Sequence, residues 1–319
     1  MNHVNDSFIF VPKGMVEKMN NPNQIIKIFK SAGLRAAFVP YNAIEQIKAV
    51  YINMSETENT SKFAKNAAEH FQNNQPPNIP FVPLSFLVVA CPSSPARLAL
   101  SIDGKTVNIP IPPIYIDQDG NNNRITETLA SAAEGFKTAH TRGISQKLLA
   151  VMSGLGRYGR NNICYVNGLG SHCSLAAFYT DIPFDGVVSE PLKFMVECGA
   201  CTVCSKKCPT NAITDSSVIN ADLCLNKYTY SLESIPENVP KTAFNALIGC
   251  WLCQESCPVN MALPENELQT LELDEVETQA FLAYETVMPS ELKQKLSHFF
   301  ENDHLLSVAG RNAALVLHR

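Results

Sequence analysis

The residues in this sequence best suited to chemistry are cysteines, and eight of the eleven lie between residues 198 and 257. Four of them form the pattern Cys-x2-Cys-x2-Cys-x3-Cys-Pro, which runs from Cys198 to Pro209. Three more form Cys-x2-Cys-x3-Cys-Pro from Cys250 to Pro258, and Cys224 stands alone between the two runs. Thiolates at these spacings bind cubic iron–sulfur clusters, with three ligands on one cube and the fourth on another. The pattern therefore predicts two [4Fe–4S] clusters.

The order of the thiols along the chain indicates which cluster each one serves. Three closely spaced thiols can wrap three corners of one cube, and the fourth ligand is then expected from the far end of the region. This predicted first set is Cys198, Cys201, Cys204 and Cys257. The proline after the first run directs the trailing thiol to the other cube, and the predicted second set is Cys208, Cys224, Cys250 and Cys253. The remaining cysteines lack Cys-x2-Cys partners and are predicted to be packing residues: Cys91, Cys164 and Cys173.

Disulfides and zinc are the alternative fates of these thiols. Disulfides persist mainly in exported proteins, and the first residues do not resemble a secretory signal. Zinc is bound tetrahedrally by Cys-x2-Cys knuckles, which come as two separated pairs. Here a triplet is followed by two Cys-Pro steps. The spacing favours iron–sulfur clusters over both alternatives.

The composition is that of an ordinary globular protein of two or three domains. Of the 319 residues, 45% are hydrophobic and 17% are charged. The apolar run from Phe86 to Cys91 is far shorter than the roughly 18 residues that span a bilayer. The stretch Met1 to Asp6 has neither a basic region nor a pair of arginines. We therefore expect a cytoplasmic protein with no membrane partner.

The net charge of −5 is concentrated toward the end of the chain. Residues 261–319 contain ten Asp and Glu residues against four Lys and Arg residues. Nucleic-acid surfaces neutralise phosphates with Lys and Arg. The acidic tail therefore argues against a general nucleic-acid-binding protein.

The elements that must position the cysteines alternate between helices and strands. Helical apolar spacing from Pro22 to Gly33 gives way at the glycine to a predicted strand from Leu34 to Val39. Asp103-Gly104 predicts a hairpin between two strands within residues 97–109. Further predictions are helices over 43–51, 126–138 and 145–152, a loop over 117–123, strands over 84–90, 163–166 and 174–179, and tail helices over 272–282, 290–300 and 312–317.

A glycine-rich turn follows the predicted helix over 145–152. Its candidate cofactor-binding residues are Gly154, Gly156, Arg157, Tyr158, Gly159, Arg160 and Asn161. Three glycines let the backbone approach a ligand closely, and two interleaved arginines suit a flat or anionic ligand. The turn lacks both G-x-G-x-x-G and the Walker lysine of nucleotide sites. A plain tight turn is the alternative.

The order of these motifs resembles that of epoxyqueuosine reductases and reductive dehalogenases. The resemblance rests on the Gly154–Asn162 turn, the segment Thr180-Asp181-Ile182-Pro183 and the two cysteine runs, and it covers about residues 150–262. It implies an α+β domain of nitroreductase type that holds cobalamin, joined to a ferredoxin-like double-cluster module. It also makes Cys224 the fourth ligand of the second cluster and places Gly154–Asn162 at the edge of a corrinoid pocket.

On this basis we expect an α+β fold in three parts. Residues 1–186 are predicted to bind the corrinoid and the substrate, residues 187–262 to hold both clusters, and residues 263–319 to form a helical tail. Epoxyqueuosine reductases carry an aspartate proton donor shortly before the glycine-rich turn, whereas this sequence has His140 and no nearby carboxylate. Histidine exchanges protons near neutral pH, so His140 is the candidate catalytic proton donor. A histidine at a helix end is the alternative.

The expected function is that of an iron–sulfur oxidoreductase that relays single electrons through two [4Fe–4S] clusters to a bound corrinoid. The corrinoid would then reduce a small-molecule substrate or a partner. The alternative is a non-catalytic electron-transfer protein or activase that reduces a partner corrinoid protein. Reduction of epoxyqueuosine in tRNA is a third interpretation, against which the short acidic tail argues. The electron donor is expected to be a low-potential protein of the ferredoxin or flavodoxin type.

Overall fold

A computed structural model of the chain shows an α+β fold, as the sequence predicts. It describes residues 21–56, 61–214, 219–232, 234–237, 239–264, 268–284, 287–297, 299–300 and 303–318. The strands are β1 Arg35–Pro40, β2 Ser85–Pro92, β3 Ala96–Ile102, β4 Lys105–Ile111, β5 Thr138–His140, β6 Gly156–Tyr158, β7 Cys164–Val166, β8 Cys173–Thr180 and β9 Gln269–Leu273. The α-helices are α1 Pro22–Ser31, α2 Ile44–Glu56, α3 Lys62–Asn73, α4 Gln118–Ala132, α5 Gln146–Met152, α6 Val203–Lys207, α7 Asn226–Thr229, α8 Leu252–Glu255, α9 Pro258–Met261, α10 Glu275–Leu282, α11 Ser290–Leu296 and α12 Asp303–Leu317.

The first sheet has the strand order β1-β2-β8-β5, and each neighbouring pair is antiparallel. Strand β2 is buried from Ser85 to Cys91, because helices cover both faces of the sheet. One face packs against α1 and α4, and the other packs against α2, α3 and α5. A strand covered on both sides loses the alternation of polar and apolar residues, which explains the continuous apolar run in the sequence.

Helix α5 leads from this sheet to the glycine-rich turn. It begins where predicted, because the Ser145 side chain accepts a hydrogen bond from the backbone N–H of Leu148. The hydroxyl of Tyr51 in turn accepts a bond of 2.8 Å from the Ser145 N–H. The five residues from Leu148 to Met152 are buried. The glycine-rich turn therefore follows directly after a helix that is capped at its start and buried at its end.

The second sheet joins the predicted hairpin to the tail. Its order is β4-β3-β9, and β9 runs parallel to β3 with Leu98 opposite Leu271. The core beneath it combines Leu98, Leu247 and Phe281, which come from all three predicted parts of the chain. The boundaries at residues 186 and 262 stay a prediction, but hydrophobic packing crosses both of them.

Several predicted helix bounds were wrong. The helix predicted over 126–138 begins at Gln118, inside the predicted loop, because Asp117 accepts a hydrogen bond from Gly120 N–H as its cap. The helix predicted over 272–282 begins at Glu275, since residues 269–273 form β9. The predicted helix over 290–300 ends at Leu296, and the last helix begins earlier, at Asp303.

Among the described residues, no helix has the length and hydropathy to cross a membrane. The stretch Met1 to Asp6, from which the absence of an export signal was inferred, lies outside the described residues. Four of the acidic tail residues also lie outside them: Glu265, Glu267, Glu285 and Glu301.

Candidate iron–sulfur centre

The eight clustered thiols lie on short helical turns and the loops between them. All eight are unpaired with one another and half-buried. Cys198 ends a 3-10 turn that begins at Val196, Cys204 lies on α6, and Cys253 lies on α8. Helices α6 and α8 pack against each other, so the two cysteine runs meet although about fifty residues separate them in the sequence.

The thiols fall into two electrostatic neighbourhoods. Burial raises the pKa of the Cys204 thiol, and its neighbours Cys198, Cys201 and Cys257 raise it further. Like charges close together disfavour ionisation, so these four thiols are electrostatically coupled.

A second group of thiols is also electrostatically coupled. Burial also raises the pKa of Cys250, to which Cys224 and Cys208 add. The pKa of Cys253 is raised by burial, then by Cys250 and Cys224, with a smaller contribution from Cys204 of the first group. These two neighbourhoods coincide with the two sets predicted from the sequence, and the ligand assignment itself stays a prediction.

The sulfurs are surrounded by hydrogen-bond donors. The backbone N–H of Arg160 donates to Cys198 Sγ at 3.4 Å, and that of Ala212 donates to Cys208 Sγ at 3.2 Å. The side-chain amide of Asn245 donates to Cys250 Sγ at 3.2 Å. A cluster-bound thiolate is a negatively charged acceptor, and such bonds are among the protein's means of tuning a cluster. The donor set therefore fits [4Fe–4S] clusters.

The arrangement differs from that of a site for one ion. Within the ranges that the structure describes, no three His, Cys, Asp or Glu side chains are grouped as they would be around a single metal ion. A [4Fe–4S] cube takes one thiolate at each of its four iron corners, so its sulfur ligands lie farther apart than the ligands of a single ion.

The glycine-rich turn is mostly buried inside the protein. Gly156, Tyr158, Gly159 and Asn161 are buried, whereas Gly154 and Arg157 are exposed and Arg160 is half-buried. A Cβ on Gly156 would overlap the sulfur of Cys164, and one on Gly159 would approach the ring of Tyr165 to 2.6 Å. These two glycines therefore serve the close packing of β6 and the turn against β7.

Arg160 holds the first cysteine loop. Its guanidinium donates to the carbonyl oxygens of Cys198 and Cys201 at 2.9 Å each and of Gly199 at 3.1 Å. The sequence predicts a flat or anionic ligand beside Arg157 and Arg160, and in the structure the Arg160 guanidinium bonds to these backbone carbonyls. Hydrogen bonds from a charged donor are worth about 1.5–3 kcal/mol each, so Arg160 stabilises the loop that carries three of the predicted ligands.

The C-terminal helix holds the loops of the second set. The side-chain amide of Asn312, which is fully buried, donates to the carbonyls of Thr229 at 2.9 Å and Leu247 at 2.7 Å. Arg311 donates to the carbonyl of Tyr228 at 2.8 Å. The Thr229 hydroxyl donates to the Gly249 carbonyl at 3.1 Å. These bonds tie together the segments on either side of Cys224 and Cys250.

Lys147 is a cation beside the second set that spacing could not reveal. It lies on α5, and its ammonium donates to the backbone carbonyl of Asn162 at 2.9 Å and to the side-chain oxygen of the same residue at 3.1 Å. Burial lowers its pKa, and the thiols Cys164 and Cys224 oppose that effect. Lys147 therefore places a hydrogen-bond donor at the end of the glycine-rich turn, within electrostatic reach of the predicted ligand Cys224.

The remaining predicted residues lie elsewhere. His140 is exposed at the end of β5, at the edge of the first sheet, and its ring centroid is 4.5 Å from that of Phe178. It is therefore not at a helix end. Cys91, Cys164 and Cys173 are buried.

Two cavities accompany these elements. One of about 500 Å³ is lined by residues that include Tyr41, Leu84 and Phe184. Another of about 210 Å³ is lined by residues that include His172 and Trp251. Neither includes any of the seven turn residues. A corrinoid at the turn would therefore contact the accessible surface of Gly154, Arg157 and Arg160.

Comparison with known proteins agrees with the cysteine geometry. A family described as a 4Fe-4S double cluster binding domain matches residues 197–260. An epoxyqueuosine reductase from Bacillus subtilis is 28% identical over 197 residues, which are 60% of this chain and 50% of that protein. The chain thus spans about half the length of this relative.

Solved structures extend the comparison to the fold. A structure of epoxyqueuosine reductase from Bacillus subtilis, with a catalytic aspartate loop swung out of its active site, matches with a TM-score of 0.62 at 21% identity, covering 92% of this chain and 80% of that one. A complex of epoxyqueuosine reductase with an epoxyqueuosine-modified tRNA-Tyr stem loop matches with a TM-score of 0.63 at 19% identity and the same coverage. The chain therefore contains a 4Fe-4S double cluster binding domain at residues 197–260 and is similar to epoxyqueuosine reductases in sequence and in fold.

Proposed function

We propose that the protein is an iron–sulfur reductase that relays single electrons through two [4Fe–4S] clusters to an acceptor on its α+β domain. The observation that carries this proposal is the junction between the cysteine loops and the glycine-rich turn. Arg160 bonds to the carbonyls of Cys198 and Cys201, and Asn161 bonds to the carbonyl of Cys253 at 3.2 Å. The glycine-rich turn of the α+β domain is thus in direct contact with both cysteine runs. Electrons would therefore have a short route from the clusters to an acceptor at this turn.

As the acceptor we propose a corrinoid, which the resemblance to epoxyqueuosine reductases implies. A bound corrinoid would supply the cobalt chemistry that reduces the substrate, while the protein binds it, orients it and delivers electrons. The exposed Gly154 and the exposed Arg157 are the residues of the turn that could border it. His140, exposed on the edge strand β5, is the proposed proton donor.

The proposed substrate is a small molecule or the cofactor of a partner protein. The acidic tail supports this choice, because polyanions are bound through Lys and Arg. Epoxyqueuosine in tRNA is the second candidate, and the complex of a relative with a modified tRNA stem loop favours it.

Binding of cobalamin tests the proposed acceptor. We expect anaerobically purified protein to take up about one cob(II)alamin per chain, seen as a shift of the cobalamin absorption bands and of its electron paramagnetic resonance (EPR) spectrum. Arg157→Glu should weaken this binding because it reverses a charge at the turn. Arg97→Glu is the matched control, since Arg97 is an exposed arginine on β3. Wild-type protein that takes up no cobalamin would overturn the corrinoid proposal in favour of a non-catalytic electron carrier.

Salt dependence separates the two substrate candidates. We expect an epoxyqueuosine-modified tRNA stem loop to bind only at low salt. The tail offers few Lys and Arg side chains to displace the counterions of the RNA phosphates. Fluorescence anisotropy at 50 and 200 mM salt measures this binding. Tight binding at the higher salt, together with conversion of the modified base, would make tRNA the substrate.

A further inference from the structure

The larger of the two cavities lies at one end of the first sheet. Strands β1, β2 and β8 meet there, since Pro40 pairs with Ser85 and Ser85 pairs with Thr180. The Ser85 hydroxyl donates to the Ile182 carbonyl at 2.7 Å, which ties the chain after β8 to the sheet. The volume of about 500 Å³ is within the range of small-molecule pockets. The paired strand ends therefore support a cavity that can admit a small molecule.

Two aromatic rings line this cavity, and each packs against a buried ring of the sheet. The ring centroid of Tyr41 is 5.4 Å from that of Phe86, and the ring centroid of Phe184 is 5.5 Å from that of Phe38. Phe86 and Phe38 are buried, whereas Tyr41 and Phe184 keep part of their surface accessible. Rings already fixed by packing lose little freedom when a ligand binds. They form a preorganised apolar surface.

Asp185 alone is charged among the described residues that line the cavity. It is exposed, and within the described parts of the chain its carboxylate makes no hydrogen bond or ion pair. A cation is attracted both by a carboxylate and by the face of an aromatic ring, whereas an anion is repelled by the carboxylate. The charge and the rings together therefore select for a positively charged ligand.

The cavity lies next to the glycine-rich turn. Val188 lines the cavity, and the next residue, Ser189, donates its backbone N–H to the Met152 carbonyl at 2.8 Å. A Cβ on Gly154 would lie 3.4 Å from the Ser189 hydroxyl oxygen. The segment that borders the cavity thus packs against the start of the turn. The cavity is a separate place, because none of the seven turn residues lines it.

We propose that this cavity is a binding site for a small organic cation with a flat apolar body. The ammonium group of the ligand lies against the Asp185 carboxylate, and its body packs on Tyr41 and Phe184. Asn42, which also lines the cavity, adds a side-chain amide for a polar substituent. The site goes beyond the proposed function, because it contains no predicted cluster ligand and no residue of the turn. Either proposal can therefore fail without the other.

Three probes of equal size and different charge test the site: 4-fluorobenzylamine, which is a cation at pH 7, 4-fluorobenzyl alcohol, which is neutral, and 4-fluorobenzoate, which is an anion. Fluorine nuclear magnetic resonance of each probe, titrated with the anaerobically purified protein, measures its affinity. We expect the cation to bind about tenfold more tightly than the alcohol, as for one exposed ion pair and one ring contact, and the benzoate to bind most weakly.

Asp185→Asn assigns the preference to this cavity. It should weaken the binding of 4-fluorobenzylamine about fivefold, because the ion pair is lost, and leave that of the alcohol unchanged. Glu190→Gln is the matched control, since Glu190 is an exposed carboxylate outside the cavity, and it should keep the wild-type affinities. Equal affinity for the cation and the alcohol, no binding of the cation, or an undiminished preference in Asp185→Asn would each overturn the proposal.

Discussion

Replacing Cys224 with alanine is expected to halve the iron content of the protein, from about eight to about four atoms per chain. Cys224 stands alone between the two runs, and burial raises the pKa of its thiol, to which Cys208 adds. A cube that loses one thiolate exposes an iron corner, whereas Cys204 and its three thiol neighbours Cys198, Cys201 and Cys257 are not touched. Iron and acid-labile sulfide determination on anaerobically purified protein measures the effect.

Cys91→Ala is the control for this substitution. Cys91 is buried on β2, away from the cysteine runs, and its thiol donates to the side-chain oxygen of Asn121 at 3.1 Å. This variant should keep about eight iron atoms. Eight atoms retained in Cys224→Ala would contradict the ligand assignment, and the loss of all eight would contradict two independently held cubes.

The second large effect is expected from Asn312→Leu in α12. The change keeps the size of the side chain but removes the donor to two buried carbonyls, those of Thr229 and Leu247. Each buried polar group left without a partner costs about 1–3 kcal/mol, so two of them predict a loss of about 2–6 kcal/mol. The second cluster should be lost first, because these carbonyls lie in the segments next to Cys224 and Cys250.

Denaturant unfolding under anaerobic conditions measures this loss. The iron–sulfur absorption band and the far-ultraviolet circular dichroism are followed together, and the iron content is determined below the transition. Asn108→Leu serves as the control, since Asn108 is exposed on β4 and surface changes usually stay within about 0.5 kcal/mol. An unchanged midpoint and iron content in Asn312→Leu would show that the C-terminal helix does not hold the cluster loops.

Short sequence motifs predicted those strands and helices whose formation depends on neighbouring residues. The Asp103-Gly104 turn defines the β3 and β4 hairpin, and Ser145 begins α5 at the expected residue. Strand β9 was missed because it exists through pairing with β3, about 170 residues earlier, and no neighbouring residue carries that information. The start of α4 was missed because its first turns are polar, and burial of Ile125 and Leu129 stabilises the helix despite them.

The same distinction holds for the candidate site. Cysteine spacing predicted a double [4Fe–4S] domain, since ligand geometry constrains the spacing directly, and the assignment of ligands to each cluster stays a prediction. The charge of Arg160 was visible in the sequence, but its carbonyl partners come from the loop at Cys198 and Cys201 and depend on tertiary packing. Asn312 carries no spacing signal at all, because a single buried hydrogen-bond donor resembles any other core residue.

The central claim is that eight thiols of this chain hold two cubic iron–sulfur clusters. Native mass spectrometry of anaerobically purified protein tests it most directly, because it weighs the chain together with its inorganic content. The account predicts one dominant species heavier than the chain by the mass of two [4Fe–4S] clusters, converting to a one-cluster species in Cys224→Ala. A dominant species carrying zinc ions, or one whose cysteines are joined as disulfides, would contradict it.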